Sequence, residues 1–261
     1  SYQRAICDAD VVSFDVFDTL IHRVVFRPKD VFELLELKLT DGKIGLGSEQ
    51  IPNNFAKARV SSESLARLKF HEKFGSHEVS LQEIYDTLAQ ELGLDPNVVS
   101  ALIEEEIALE EFLVYPNPVM QSLLAFAKSE GKRVILCSDM YLPTAAIERL
   151  LVRSGYSPPF ELFVSGTLRS SKHEGTLFHH VLDQLKIPKD RLVHFGDNQH
   201  ADVTTPRKQG IKSLHWPHIE EQVSAQVRFS SDKGSAPLSL IQGIVQKALI
   251  EASHPSDFWF D

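Results

Sequence analysis

Five residues of this 261-residue chain pair useful chemistry with positions that could gather them: Asp15, Ser138, Lys172, Asp197 and Asp202. Asp15, Ser138 and Asp197 each come just after a short apolar run, Lys172 falls in the turn after another, and Asp202 soon follows Asp197. A single carboxylate at such a place commonly caps a helix. Several of them with a hydroxyl and a lysine on one sheet edge would make a site for a metal and an anion, because ligands of parallel sheets bind beyond the strands' carboxyl ends. Carboxylate oxygens suit Mg2+, which takes one or two of them together with waters and a substrate phosphate. A remaining carboxylate can act as a nucleophile and form a covalent aspartyl intermediate.

The elements that must position these residues follow from the apolar pattern. Val11-Val-Ser-Phe14, residues 133–137, Glu161-Leu-Phe-Val164 and Leu192-Val-His-Phe195 are short, buried-type strands, and Ile211 to Trp216 is a fifth. Helix-like stretches separate them, as in a doubly wound parallel α/β sheet. Asn117-Pro118 opens one helix that Gly131 closes, and Pro143 opens another that runs to about Gly155. Between the first two strands lies a stretch far longer than a crossover needs. It holds four helical segments and no convincing strand: one from Pro28, one carrying Phe55, Ala58, Leu65 and Leu68, one from the capping box at Ser80–Glu83 to Gly93, and one from Asp95-Pro96. The pattern predicts a core over 1–25 and 114–229 with an all-helical cap inserted at 26–113. Asp41 to Asn54 reads as a mobile loop within that cap. Residues 230–261 read as a linker and a C-terminal helix leading into a further domain, with an aromatic ending at Phe258-Trp-Phe260.

Composition narrows the function classes. With 43% hydrophobic and 24% charged residues the chain is an ordinary globular one. A net charge of -9 speaks against a nucleic-acid partner. No apolar run approaches the roughly 20 residues of a membrane span. Two cysteines make neither a disulfide framework nor a cysteine zinc site, so a cytoplasmic setting is expected. The eleven histidines include no His-Glu-x-x-His, which argues against zinc.

Phe14-Asp-Val-Phe-Asp-Thr-Leu20, Ser138, Lys172 and Gly196-Asp-Asn198 with Asp202 resemble, in order, the four signature motifs of the haloacid dehalogenase-like (HAD) superfamily, over roughly residues 10–215. The helical insertion resembles that superfamily's C1-type cap. The wording of the first motif, with Ser138-Asp-Met-Tyr-Leu-Pro143, is similar to a bacterial subgroup often fused to or associated with glycosyltransferase domains of surface-polysaccharide assembly. The resemblance implies that Asp15 attacks phosphorus, Ser138 bonds a phosphoryl oxygen and Lys172 neutralises charge. It implies that Mg2+ sits on Asp15, the backbone carbonyl of Phe17 and Asp197, with Asp202, Asn198 and Thr19 supporting from behind. Substrate contacts are expected from Asp139, Arg23, Arg59 and His173, and the substrate is expected to be a small phosphorylated metabolite such as a sugar phosphate.

One position departs from the pattern. Phosphatases of the superfamily carry a second Asp two residues after the nucleophile to protonate the leaving oxygen; here it is Phe17. A phenyl ring transfers no proton, and Asp18 is one residue out of step. Three readings therefore stay open: a phosphohydrolase, a dehalogenase-like hydrolase whose leaving halide needs no proton, and a non-catalytic phospho-ligand-binding module. Among the remaining residues, Arg59, Glu63 and Arg67 have helical spacing and read either as a salt-bridged surface or as an anion clamp. His194 reads as a core residue and Cys137 as packing.

Overall fold

The computed structural model describes residues 1–41, 54–217 and 236–252. The strands within them are β1 (Val11–Phe14), β2 (Ile21–Arg23), β3 (Val114–Pro116), β4 (Arg133–Ser138), β5 (Leu162–Val164), β6 (Leu192–Gly196) and β7 (Lys212–His215). Five of them form one sheet in the order β5-β4-β1-β6-β7, and every pair in it is parallel. All four residues of β1 are buried, as expected for a central strand covered on both faces. The chain moves outward from β1 to β4 and β5, then returns to β6 and β7 on the other side. The strand order thus reverses around β1, and the crevice at such a reversal is where open α/β sheets bind ligands. The register pairs Phe14 with Leu136 and with Phe195, which brings Asp15, Ser138 and Asp197 to the same edge.

The helices are α1 (Tyr2–Asp8), α2 (Asp30–Thr40), α3 (Phe55–Phe74), α4 (Leu81–Leu92), α5 (Pro96–Leu113), α6 (Pro118–Ser129), α7 (Thr144–Arg153), α8 (Ser165–Leu168), α9 (Thr176–Leu185), α10 (Thr205–Lys208) and α11 (Ala236–Ala252). The insertion is α2 to α5. Its predicted ends are present: Ser80 and Glu83 close a reciprocal capping box on α4, Gly93 ends that helix at φ 67°, and Asp95 caps α5 ahead of Pro96. Asn117 accepts from Val119 N–H and Met120 N–H to start α6.

Two short strands at the borders of the insertion were not foreseen. β2 and β3 pair antiparallel, with His22 opposite Tyr115, so the two chain crossings into the helical insertion form one ribbon. Three residues per strand are too few for any period to register. The insertion rests on the core through the Leu81 N–H, which donates to the Tyr141 carbonyl at 2.8 Å. It also approaches Gly166 closely. A Cβ there would stand 2.6 Å from the Val79 carbonyl oxygen and 2.8 Å from that of Met140, so only glycine admits this contact.

Helix α11 packs beside the entry to the insertion, where Ser239 Oγ accepts from Phe26 N–H and Arg27 N–H at 2.9 and 3.3 Å. The expected loop at 42–53, linker at 230–235 and aromatic ending lie outside the described residues. Among the described residues no helix is long and apolar enough to cross a membrane.

Candidate active site

Asp15 leaves β1 as the chain turns sharply. The Val16 carbonyl accepts from both Leu20 N–H and Ile21 N–H, and Asp18 N–H donates to the Ile21 carbonyl at 2.7 Å. Asp18 occupies the left-handed region at φ 59°, which a residue with a short polar side chain tolerates better than most. The turn buries Thr19, whose hydroxyl donates to Asp15 Oδ2 at 3.2 Å and lies 3.4 Å from Asp197 Oδ1.

Lys172 arrives from the loop between α8 and α9. Asp139, next to Ser138 at the end of β4, holds that loop: its two oxygens accept from Lys172 N–H at 2.8 Å and His173 N–H at 3.0 Å. The Lys172 ammonium is buried between two carboxylates, donating to Asp15 and, at 2.6 Å, to Asp202 Oδ1. Asp202 folds back over β6 because residue 196 is glycine; a Cβ there would collide with the Asp202 carboxyl. Its second oxygen accepts from Asn198 N–H at 2.9 Å, while Asn198 Oδ1 caps the following turn at His200 and Ala201.

These groups line one cavity of about 280 Å³ that includes Asp15, Ser138, Asp139, Lys172, Asp197, Asn198 and Asp202, and also Phe17, Asp18, Arg23 and His173. Burial, reinforced by Asp202 and Asp197, pushes the Asp15 carboxyl well above the usual range against the pull of Lys172. Burial together with Asp18 and Asp202 raises Asp197 to about 7. Burial would lower Lys172, but Asp15 and Asp202 outweigh it and hold the ammonium protonated. Asp202 goes the other way: Lys172 and His194 overcome its burial and keep it ionised.

Oxygens of Asp15, Asp197 and Asp202 lie within 4.8 Å of one another. Three carboxyl groups crowd hard oxygen donors around one ammonium. That donor set suits a divalent cation such as Mg2+.

Arg59 is not part of this site. Its guanidinium is wholly buried, donates twice to Glu106 at 2.8 and 2.7 Å, and lies over the Phe32, Tyr85 and Tyr141 rings. The expectation of an anion clamp there is corrected: the ion pair and the rings occupy the charge. Helical spacing alone could not reveal a carboxylate from α5. Arg67 likewise goes to Glu63 and the His77 carbonyl. Arg23 does reach the cavity, where Glu110 holds it bidentately at 2.8 and 3.0 Å. His194 is the buried core residue that the sequence implies, and only its partner Ser13 was not foreseen, since a polar residue inside an apolar run gives no sign of what it meets.

The chain belongs to the haloacid dehalogenase-like hydrolases: the model of that family matches residues 9–210, which contain every residue of the cavity. The fold is shared with solved structures of low sequence identity. A 2-haloacid dehalogenase from Pseudomonas syringae pv. Tomato DC3000 is 16% identical over 92% of this chain and 99% of that chain, with a TM-score of 0.55. A haloacid dehalogenase-like family hydrolase from Xanthomonas campestris is 16% identical over 94% of each chain, with a TM-score of 0.51. The HAD hydrolase YfnB from Bacillus subtilis, described as bound to magnesium, is 17% identical over 79% of this chain and 88% of that chain, at a TM-score of 0.51. Among the curated proteins nothing matches the chain.

Proposed function

We propose that the protein is a Mg2+-dependent phosphohydrolase working through an aspartyl-phosphate on a small phosphorylated metabolite, with a sugar phosphate as the favoured class. The observation that carries this reading is the buried Lys172 bridge between Asp15 and Asp202, with the Asp197 carboxyl oxygen within 4.8 Å of theirs. Phosphoryl transfer asks a protein mainly for positioning and charge neutralisation, and this cluster offers both.

Asp15 presents a carboxylate oxygen to phosphorus, and the bond to the leaving oxygen breaks as the new one forms. Lys172 offsets charge on Asp15 and on the transferring group, and Ser138 at the rim of β4 donates to a phosphoryl oxygen. Asp15, Asp197 and the Phe17 carbonyl would hold Mg2+, with Asp202, Asn198 and Thr19 behind, and the ion would supply charge neutralisation on the phosphoryl oxygens. Arg23 and His173 border the substrate's far side, and Asp139 acts by holding the Lys172 loop. A cavity of about 280 Å³ suits a small substrate. The helical insertion serves as a C1-type cap that shields the reaction from water. A cytoplasmic role in surface-polysaccharide assembly, beside or fused to glycosyltransferase domains, fits the wording of the first motif.

Phe17 favours one competing reading, a phospho-ligand-binding module that turns over slowly or not at all. Purified protein screened with Mg2+ against phosphorylated metabolites, beside Asp15→Asn, separates the two. Turnover lost in the variant supports the phosphohydrolase. A melting temperature raised by Mg2+ with beryllofluoride, without turnover of any substrate, supports the binding module, because a ligand bound only to the native state stabilises it.

A further inference from the structure

Behind the candidate active site runs a buried polar chain that crosses three strands. Ser13 of β1 lies opposite His194 of β6 in the sheet register, and both are wholly buried. Ser13 Oγ stands 2.7 Å from His194 Nδ1 and 3.3 Å from Cys137 Sγ on β4. On the other side of the ring, His194 Nε2 is 3.1 Å from Asp202 Oδ1, the same oxygen that accepts from Lys172. The line from Cys137 to Asp15 is therefore unbroken.

The donor inventory assigns the protons. An ionised carboxylate only accepts, so His194 Nε2 carries a hydrogen towards Asp202. Ser13 Oγ lies 2.7 Å from Nδ1, so with the ring hydrogen on Nε2 the other nitrogen accepts and the Ser13 hydroxyl donates to it. The Ser13 hydroxyl reaches Cys137 Sγ only at the longer distance of 3.3 Å. Each partner fixes the tautomer that the next one needs. Asp202 then receives from His194 and Lys172 on Oδ1 and from Asn198 on Oδ2, which leaves its carboxylate little freedom to rotate.

An apolar residue could fill the space beside the Phe178 ring, which meets His194 edge-on at 5.0 Å. We propose that His194, locked by Ser13, is a positioning residue: it aims Asp202 so that the Lys172 ammonium stays on the Asp15 oxygen during the reaction. The consequence for turnover rests on the phosphohydrolase reading; the consequence for the Lys172 position does not. Misplacing a reacting group by about 1 Å can cost ~10²-fold in rate, so loss of this aim should be visible in kcat.

The test compares His194→Phe, which removes both hydrogen bonds, with His194→Gln, whose amide can still donate to Asp202. Two readouts are taken on folded protein: steady-state hydrolysis of nitrophenyl phosphate with Mg2+, and the side-chain nitrogen resonance of Lys172, assigned with Lys172→Met. The expected result is a Lys172 signal displaced in His194→Phe and restored in His194→Gln. Alongside it, kcat should fall ~10-fold or more in the first, with KM within twofold, and recover largely in the second. Where His194→Phe does not fold, Ser13→Ala replaces it, with a smaller change in the same direction. An unmoved Lys172 signal in the folded variant overturns the positioning role, whatever the activity. If the wild type shows no turnover, the phosphohydrolase reading falls, and the Lys172 signal alone decides the positioning role.

Discussion

The Arg23 guanidinium stands 4.3 Å from the centroid of the Phe17 ring, on the wall of the cavity that holds Asp15. A cation over an aromatic face is attracted by the ring's quadrupole, by about 0.5–2 kcal/mol depending on desolvation. Glu110 of α5 grips the same guanidinium, so one arginine ties the first loop of the core to the helical insertion. On the proposed phosphohydrolase reading, the position where a carboxyl would protonate a leaving group is occupied by a ring with a cation over its face.

Hydrolysis should accordingly favour leaving groups that depart as stable anions. Nitrophenyl and acyl phosphates are expected to outrun an alkyl phosphate of similar size by ~10²-fold or more, the usual scale of general acid catalysis. Phe17→Asp should narrow that gap, helping the alkyl phosphate at least ~10-fold more than nitrophenyl phosphate. The folded fraction of each protein is measured beside the rates. Equal wild-type rates on both substrates would mean that another group, such as Asp18 or His173, already delivers the proton.

Arg59 and Glu106 make the opposite kind of prediction, one about stability. Both side chains are wholly buried, and removing one partner strands the other's charge in the interior. Arg59→Ala is expected to lower unfolding stability by about 3–5 kcal/mol in urea titrations. The KM of the folded fraction should stay within twofold of wild type, because the residue does not border the cavity. A raised KM with unchanged stability would return Arg59 to the substrate side.

The sheet was legible because β1, β4, β5 and β6 are short apolar runs that end at polar or glycine residues, a pattern that stands out in one dimension. The cavity was legible for a related reason: parallel strands deliver whatever follows them to one edge, so Asp15, Ser138, Lys172, Asp197 and Asp202 could be grouped before any coordinates. What stayed hidden depends on partners far away in sequence. The fate of Arg59 is decided by a glutamate on α5, and that of His194 by Ser13 and Asp202. Helix α1 was missed as well; its seven residues bury only Ala5 and Ile6, too little to print a period.

The two thiols should behave differently towards alkylating reagents. Burial pushes the Cys137 thiol up to about 12, whereas Cys7 is exposed. Only a thiolate reacts at an appreciable rate. Native protein at pH 8 is therefore expected to take up one equivalent of iodoacetamide, at Cys7, and a second only in denaturant. Rapid labelling of Cys137 in the native state, located by peptide mass, would show that the strand beneath Ser138 opens far more readily than its packing indicates.

The contact between the helical insertion and the core carries a pH dependence of its own. Glu83 of α4 accepts from Ser80 N–H in the capping box and from both terminal nitrogens of Arg169, which follows α8 in the core. Burial alone would raise its pKa, but these bonds outweigh burial and bring it below its ordinary value. A carboxyl with a depressed folded-state pKa contributes stability above its unfolded pKa, near 4.5, and loses it as pH falls through the folded-state value. Glu83→Gln should therefore melt below wild type at pH 7, and the gap should close as the pH drops from about 5 to 3. Arg169→Ala should show the same convergence. The gap rather than the absolute curve is the measurement, since burial raises Glu78 nearby and moves the wild-type curve the other way. A gap of equal size at pH 7 and pH 3 would mean that the capping hydrogen bonds, not the charge, hold α4 to the core.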